Sequence, residues 1–191
     1  MTALELLLSK YLPLEGNRLN MVIDASAQTS GIDGSSKSLS SAADRSLLKH
    51  LRSISGLIIT DVATAAAEHY RPSKFAPIQI WSKSANFRGF GNIPAEAGLQ
   101  ELTVEHTNNL DLAVAEARLL SRRLLFETGP TVSALLAKSN LIDELCLTVT
   151  GLSNDTEARQ LALRFAKKLG LGNMSIVEST RIENSFFFVL R

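Results

Sequence analysis

The sequence predicts an α/β domain built on a mixed β-sheet flanked by helices. Three observations carry that expectation. Short apolar runs of strand character alternate with capped, amphipathic segments along almost the whole chain. The alternation ends in two consecutive strand-like runs, "MSIVEST" (174–180) and "SFFFVL" (185–190), placed to pair antiparallel. A length of 191 residues with 45% hydrophobic content suits one domain with a substantial core.

The elements follow in order. In "MTALELLLSKYL" Leu4, Leu7 and Leu8 fall at i, i+3 and i+4, which predicts a short amphipathic helix. A signal peptide is disfavoured there because Glu5 interrupts the apolar run, the start is not basic and no small-residue cleavage site follows. We therefore read 1–18 as an N-terminal helical segment and 19–191 as the domain. "LNMVIDA" (19–25) predicts the first strand, and the polar "SAQTSGIDGSSKS" (26–38) a loop. Ser41-x-x-Asp44 has the spacing of a capping box and opens a helix whose apolar stripe is Leu47, Leu48, Leu51 and Ile54. "GLIIT" (56–60) predicts a buried strand, "VATAAAEHY" (62–70) a short helix and "APIQIWS" (76–82) another strand. "KSANFRGFGNIPAEAG" (83–98) is irregular; strand character resumes at 99–107, and 110–123 is helical. A strand at 124–126, a helix near 130–138, a strand at 144–150 and a helix at 155–169 lead into the closing pair.

Composition excludes several classes of function. With 20 Lys+Arg against 19 Asp+Glu, the net charge of +1 provides no basic field for nucleic acid or for an anionic membrane. No apolar run approaches the roughly 20 residues that span a bilayer. The single cysteine, Cys146, lies in apolar "ELCLTV" and reads as core packing in a soluble, cytoplasmic protein. His50, His69 and His106 are scattered without metal-ligand spacing, so no metal site is expected, and His50 reads as a surface residue of its helix. No Gly-x-Ser-x-Gly elbow or phosphate-loop lysine motif is present, and "FRGFG" (87–91) is only a fragment of a glycine fingerprint. Phe186, Phe187 and Phe188 read as a buried strand or as part of a subunit interface.

The richest stretch is "LLFETGPTVSALL" (124–136), a strand running through Glu127-Thr-Gly-Pro into a helix. Gly129 lets backbone approach a ligand, and Pro130 suits the first helical position, where its missing amide costs little. The amides and dipole of a helix start favour phosphate. An ordinary strand-to-helix turn explains the same residues, and a carboxylate this close would repel phosphate unless it faced another molecule.

The segment "LLFETGPTVSALLAKSNLIDELCLTVTG" resembles the Glu-x-Gly-Pro-Thr…Leu-Leu…Leu-x-Asp-Glu-Leu motif of the riboflavin-pathway pyrimidine reductases, which have the dihydrofolate-reductase-like fold. A second block, "GIDGSSKSLSSAADRSLLKHLRSISGLIITDVATAAAEHYRP" (31–72), resembles the family's Gly-x-Ser loop, Asp-Arg helix, Leu-Arg ending, strand and Thr-x-x-x-Glu-x-Tyr segment. "SFFFVLR" resembles its closing strand, and the blocks stand in family order. The resemblance implies NADPH-dependent reduction of the ribosyl side chain of an aminopyrimidine phosphate to a ribityl chain. It implies that Gly129, Pro130 and Thr131 touch cofactor phosphate and that Thr64, Glu68 and Ser82 are further cofactor contacts. Ser36 and Glu127 would face substrate, and Arg71 its phosphate. It also implies a homodimer. Read without the resemblance, Thr64 and Ser82 cap turns, Glu68 and Arg71 are solvated charges and Ser36 is loop. Lys83 and Arg88 are the cations available for a 2′-phosphate.

The sequence also departs from the family. Its Ser-Leu-Asp-Gly after the first strand is replaced by "IDASAQTSG" (23–31), with Asp24 displaced, and Asp33-Gly34 reads first as a turn. The strand around Ile58 ends in Thr60-Asp61, where the family commonly has glycine. An inward-pointing Asp61 would disfavour cofactor phosphate. A reductase of another small substrate, or a binding or scaffold protein that has lost catalysis, therefore stands beside the leading reading.

Overall fold

The inner strands are short and buried along most of their length, whereas Leu102–His106 and Ile176–Ile182 are partly exposed. The computed structural model describes residues 1–84, 87 and 89–191. Its elements are α1 (Ala3–Ser9), β1 (Gly16–Ile23), α2 (Ala42–Ile54), β2 (Leu57–Asp61), α3 (Val62–Glu68), β3 (Ile78–Ser82) and β4 (Leu102–His106). They continue with α4 (Leu110–Leu120), β5 (Arg123–Phe126), α5 (Pro130–Lys138), β6 (Glu144–Thr150), α6 (Asp155–Leu169), β7 (Ile176–Ile182) and β8 (Ser185–Leu190). The expected α/β class, the mixed sheet and the antiparallel closing pair are all present.

One eight-stranded sheet has the order β4-β3-β2-β5-β1-β6-β8-β7. Only β8 runs against the others, pairing antiparallel with both β6 and β7. Alternate residues of each strand feed two separate cores. Leu145, Leu147 and Val149 of β6 join Leu124 and Phe126 of β5 beneath α4, α5 and α6. Cys146 faces the other way, with Leu125, Ile58 and Leu51, beneath α1 and α2. Two buried faces explain why the strand sequences read as continuous apolar runs.

The first strand begins at Gly16 and ends at Ile23, earlier at both ends than 19–25. Asn17 and Arg18 belong to the ladder because buried partners satisfy them: Arg18 Nε donates to Glu144 at 2.5 Å and Asn17 Nδ2 to the Leu141 carbonyl at 2.6 Å. Pairing of that kind permits polar side chains inside a sheet. Ser41 caps α2 by accepting from the Asp44 amide at 3.2 Å, but the Asp44 carboxylate accepts from the Ser40 hydroxyl instead of closing the box. His50 is not a free surface residue; its Nε2 lies 2.9 Å from the Tyr11 carbonyl and ties α2 to the chain after α1. Phe186, Phe187 and Phe188 lie within the chain's own interior, because β8 is flanked by β6 and β7. Arg88 lies outside the described residues.

The topology places a crevice. After β1 the chain crosses to α2 on one face of the sheet, and after the neighbouring β5 it crosses to α5 on the other. Where adjacent parallel strands part in this way, their carboxyl ends leave an opening between the connections.

Candidate functional site

Two of these carboxyl ends are fastened to each other. β2 ends at Asp61, which is also the N-cap of α3. Its Oδ1 accepts from the amides of Ala63 and Thr64 at 3.0 and 2.9 Å. Its Oδ2 accepts from the Thr64 hydroxyl at 2.8 Å and, across the sheet, from the Gly129 amide at 2.7 Å. Gly129 is the N-cap of α5 and has no side chain to cap it; Pro130 follows at the helix start. The carboxylate of Asp61 therefore supplies the negative charge that the start of α5 favours.

Gly129 has an ordinary extended conformation, φ −66° and ψ 166°. What requires glycine is the crowding around it. A Cβ there would stand 2.8 Å from the Thr64 hydroxyl and 3.5 Å from Asp61 Oδ2. The close approach expected of a ligand is made by the protein's own side chains.

Glu127, just beyond β5, is held from the other side. Arg52 of α2 forks onto it, Nε to Oε1 at 2.8 Å and Nη2 to Oε2 at 2.5 Å, and the Tyr70 hydroxyl donates to Oε2 as well. Arg52 also lies over the Tyr70 ring, 5.3 Å from its centroid. Burial works against the guanidinium's charge, but Glu127 outweighs it and raises the Arg52 pKa above its usual value. Burial, followed by the Glu127 charge, pushes the Tyr70 hydroxyl well above its ordinary range, so it remains a donor at neutral pH. The charge of Glu127 is thus neutralised inside the wall, with the residue only 7% exposed.

The crevice is a cavity of about 600 Å³. Its floor is Asn20, Met21 and Val22 of β1; Asp44, Leu48 and Arg52 line it from α2, and Tyr70 and Arg71 follow α3. Seven of the expected site residues meet here: Ser36, Thr64, Glu68, Arg71, Glu127, Gly129 and Pro130. Ser82 and Thr131 instead line a second cavity of about 220 Å³, with Asp61, Val62, Trp81, Lys83, Thr107, Leu110, Val132 and Leu135. The first residues of α3 and α5 contribute to both cavities and form the wall between them.

Individual roles differ from simple exposure. Glu68 Oε1 accepts from the Ser36 amide at 2.5 Å, so the carboxylate tethers the 26–38 loop to the end of α3. Ser82 uses its hydroxyl in a local turn with Ser84. Arg71 donates to the Tyr70 carbonyl at 3.2 Å and is exposed at the cavity rim. Asp24 accepts from the Ser26 and Gln28 amides and closes its own loop. Asp33 holds Ser35 beside Gly34, whose φ of +77° confirms the turn.

Sequence alone gives Asp44, Arg52 and Tyr70 no role in the site, although all three stand in the quoted motifs: Asp44 in the cap and the Asp-Arg helix, Arg52 in the Leu-Arg ending and Tyr70 at the end of the Thr-x-x-x-Glu-x-Tyr segment. Asp44, Leu48 and Arg52 recur every four residues and share one helix face, a polar-edged stripe beside the apolar one. Burial raises the Asp44 carboxyl above its ordinary value, against the hydrogen bond from Ser40. Asn20 Oδ1, on the cavity floor, is buried with no hydrogen-bond partner among the described residues. The described residues contain no group of His, Cys, Asp and Glu able to hold a metal, and no helix among them is long and apolar enough to cross a membrane.

No protein-family model matches the sequence, and no curated protein matches it. Solved structures do share the fold. A pyrimidine reductase-like protein from Corynebacterium diphtheriae superposes with a TM-score of 0.69 at 16% identity, covering 100% of this chain and 98% of that one. The diaminohydroxyphosphoribosylaminopyrimidine deaminase/5-amino-6-(5-phosphoribosylamino)uracil reductase of Thermotoga maritima gives 0.61 at 11% identity over 96% of this chain. This chain spans only 57% of that protein. Dihydrofolate reductase from Enterococcus faecalis, solved with NADP(H), gives 0.58 at 12% identity, covering 95% and 98% of the two chains. At these identities the likeness is one of fold. The fold is the dihydrofolate-reductase-like one, and the structures sharing it include the pyrimidine reductases that the sequence motifs resemble.

Proposed function

We propose that this chain is an NADPH-dependent reductase of a small phosphorylated heterocycle, with the ribosylaminopyrimidine phosphate of riboflavin synthesis as the substrate. The observation that carries this reading is the convergence of Ser36, Thr64, Glu68, Arg71, Glu127, Gly129 and Pro130 on one cavity at the carboxyl ends of the parallel strands. Arg71 at the rim supplies the cation for a substrate phosphate. Pairing with Arg52 keeps Glu127 from repelling that phosphate. Leu48, Met21 and Val22 exclude water from one side of the bound ring. Homodimer formation belongs to the same proposal, and sedimentation tests it.

Two parts of the structure bear on the cofactor. The second cavity has an apolar lining from Val62, Trp81, Leu110, Val132 and Leu135, suited to a flat base, with Ser82, Lys83 and Thr131 at hand for a ribose and its phosphate. Bound NADPH would supply the hydride. The seat between the cavities does not fit its bridging phosphates as the side chains stand, because Asp61 already accepts the Gly129 amide and Thr64 hydroxyl. That same observation favours a second reading, a reductase-fold binding protein without turnover.

The test is a fluorescence titration with NADPH and, in parallel, NADH, followed by addition of the ribosylaminopyrimidine phosphate. Saturable binding with substrate-dependent loss of reduced-nicotinamide absorbance is expected. Binding without turnover on this substrate would move the assignment to another small molecule or to the non-catalytic reading. Absence of binding would sink the cofactor assignment.

A further inference from the structure

Asp61 stands between two cavities that a single extended ligand would have to join. On one side Thr64 and Gly129 line the larger cavity; on the other Asp61, Val62 and Thr131 line the smaller. The carboxylate sits between them and collects four donors, two amides of α3, the Thr64 hydroxyl and the Gly129 amide. It is 8% exposed. A phosphate brought to the same donors would meet a fixed negative charge and find its hydrogen bonds taken. We propose that Asp61 is an internal stand-in for phosphate, and that its displacement sets how tightly this protein holds any ligand whose anionic group must cross from one cavity to the other. The inference adds a specificity-determining residue to the NADPH reading above and rests on that reading for the identity of the dinucleotide, though not for the seat itself.

The geometry distinguishes Asp61 from a helix cap alone. Capping α3 requires only Oδ1, which already accepts from both Ala63 and Thr64. Oδ2 turns away from that task to reach a different helix, 68 residues on in the chain. A serine at this position retains a cap for α3 and is too short to fill the seat. An asparagine keeps the size and removes the charge.

Isothermal titration of the wild type, Asp61→Ser and Asp61→Asn with inorganic pyrophosphate and, separately, with NADPH tests the proposal, after circular dichroism has confirmed that the variants are folded. Asp61→Ser is expected to bind both probes at least about tenfold more tightly than the wild type, a change equivalent to ~1.4 kcal/mol. Asp61→Asn is expected to show a smaller gain in the same direction. Tighter pyrophosphate with unchanged NADPH would support the seat and sink the dinucleotide reading. If pyrophosphate binds the folded serine variant no more tightly than the wild type, Asp61 is not a phosphate stand-in and the inference is overturned.

Discussion

Replacing Arg52 by leucine should be among the most damaging changes in the molecule, because it strands Glu127. The carboxylate's side chain is 6% exposed and that of Arg52 23%, so this is an internal pair and not a surface one. Removing one partner of a buried pair typically costs 3–5 kcal/mol, most of it the penalty of a charge left without compensation. Here Tyr70 still donates to one oxygen and Arg52 is partly solvated, which places the loss near the low end, about 3 kcal/mol. For a chain of this size each kcal/mol moves the melting temperature by about 2–4 °C, so a fall of about 6–12 °C is expected. Thermal and urea unfolding, followed by circular dichroism, provide the measurement. The double variant Arg52→Leu/Glu127→Leu should recover much of the loss, since apolar replacement of both partners is often close to neutral. A single-variant loss below about 1 kcal/mol, or a double variant no better than the sum of the two singles, would refute the reasoning.

Three further outcomes follow from the same geometry. Glu68→Ala should release the Ser36 amide, seen as faster hydrogen exchange at Ser36 and easier proteolysis of the 26–38 loop; unchanged exchange would show that the 2.5 Å bond does not tether it. Burial raises the Asp44 carboxyl above its ordinary 3.8, so the folded state keeps a proton that the unfolded chain has lost, and wild-type stability should fall as pH rises from that value through the folded one. Asp44→Asn removes this titration, and its stability relative to wild type should improve as pH rises above the ordinary carboxyl value of 3.8; a difference flat with pH would count against it. Burial, with Glu144 adding to it, pushes the Cys146 thiol well above its usual range, so a thiol reagent should label it only after unfolding, and rapid stoichiometric labelling of native protein would contradict the core assignment.

Much of the architecture was legible in the residue pattern because the signals are local. β6 and α6 occupy the spans expected of them, and α2 starts at the serine whose side chain accepts its third amide. The start of β1 was not legible. Asn17 and Arg18 are polar, and partners more than 100 residues away, Leu141 and Glu144, help to make them tolerable in a strand. The setting of His50 was hidden in a similar way, since its partner is the backbone carbonyl of Tyr11, 39 residues earlier in the chain after α1.

The candidate site divides along the same line. Residue order alone located the Gly129-Pro130 joint and the α/β class, because turn chemistry, caps and alternating apolar runs act over a few residues and need no knowledge of what lies opposite; the 31–72 block and the particular fold came from the resemblance to the pyrimidine reductases. Folding decided which charges face each other. Parallel pairing of β2 with β5 sets Asp61 against Gly129, and the packing of α2 over β5 sets Arg52 against Glu127. A sequence shows that a carboxylate is present; which donors surround it depends on strand register and helix placement, and those are settled by the burial of both faces of the sheet at once.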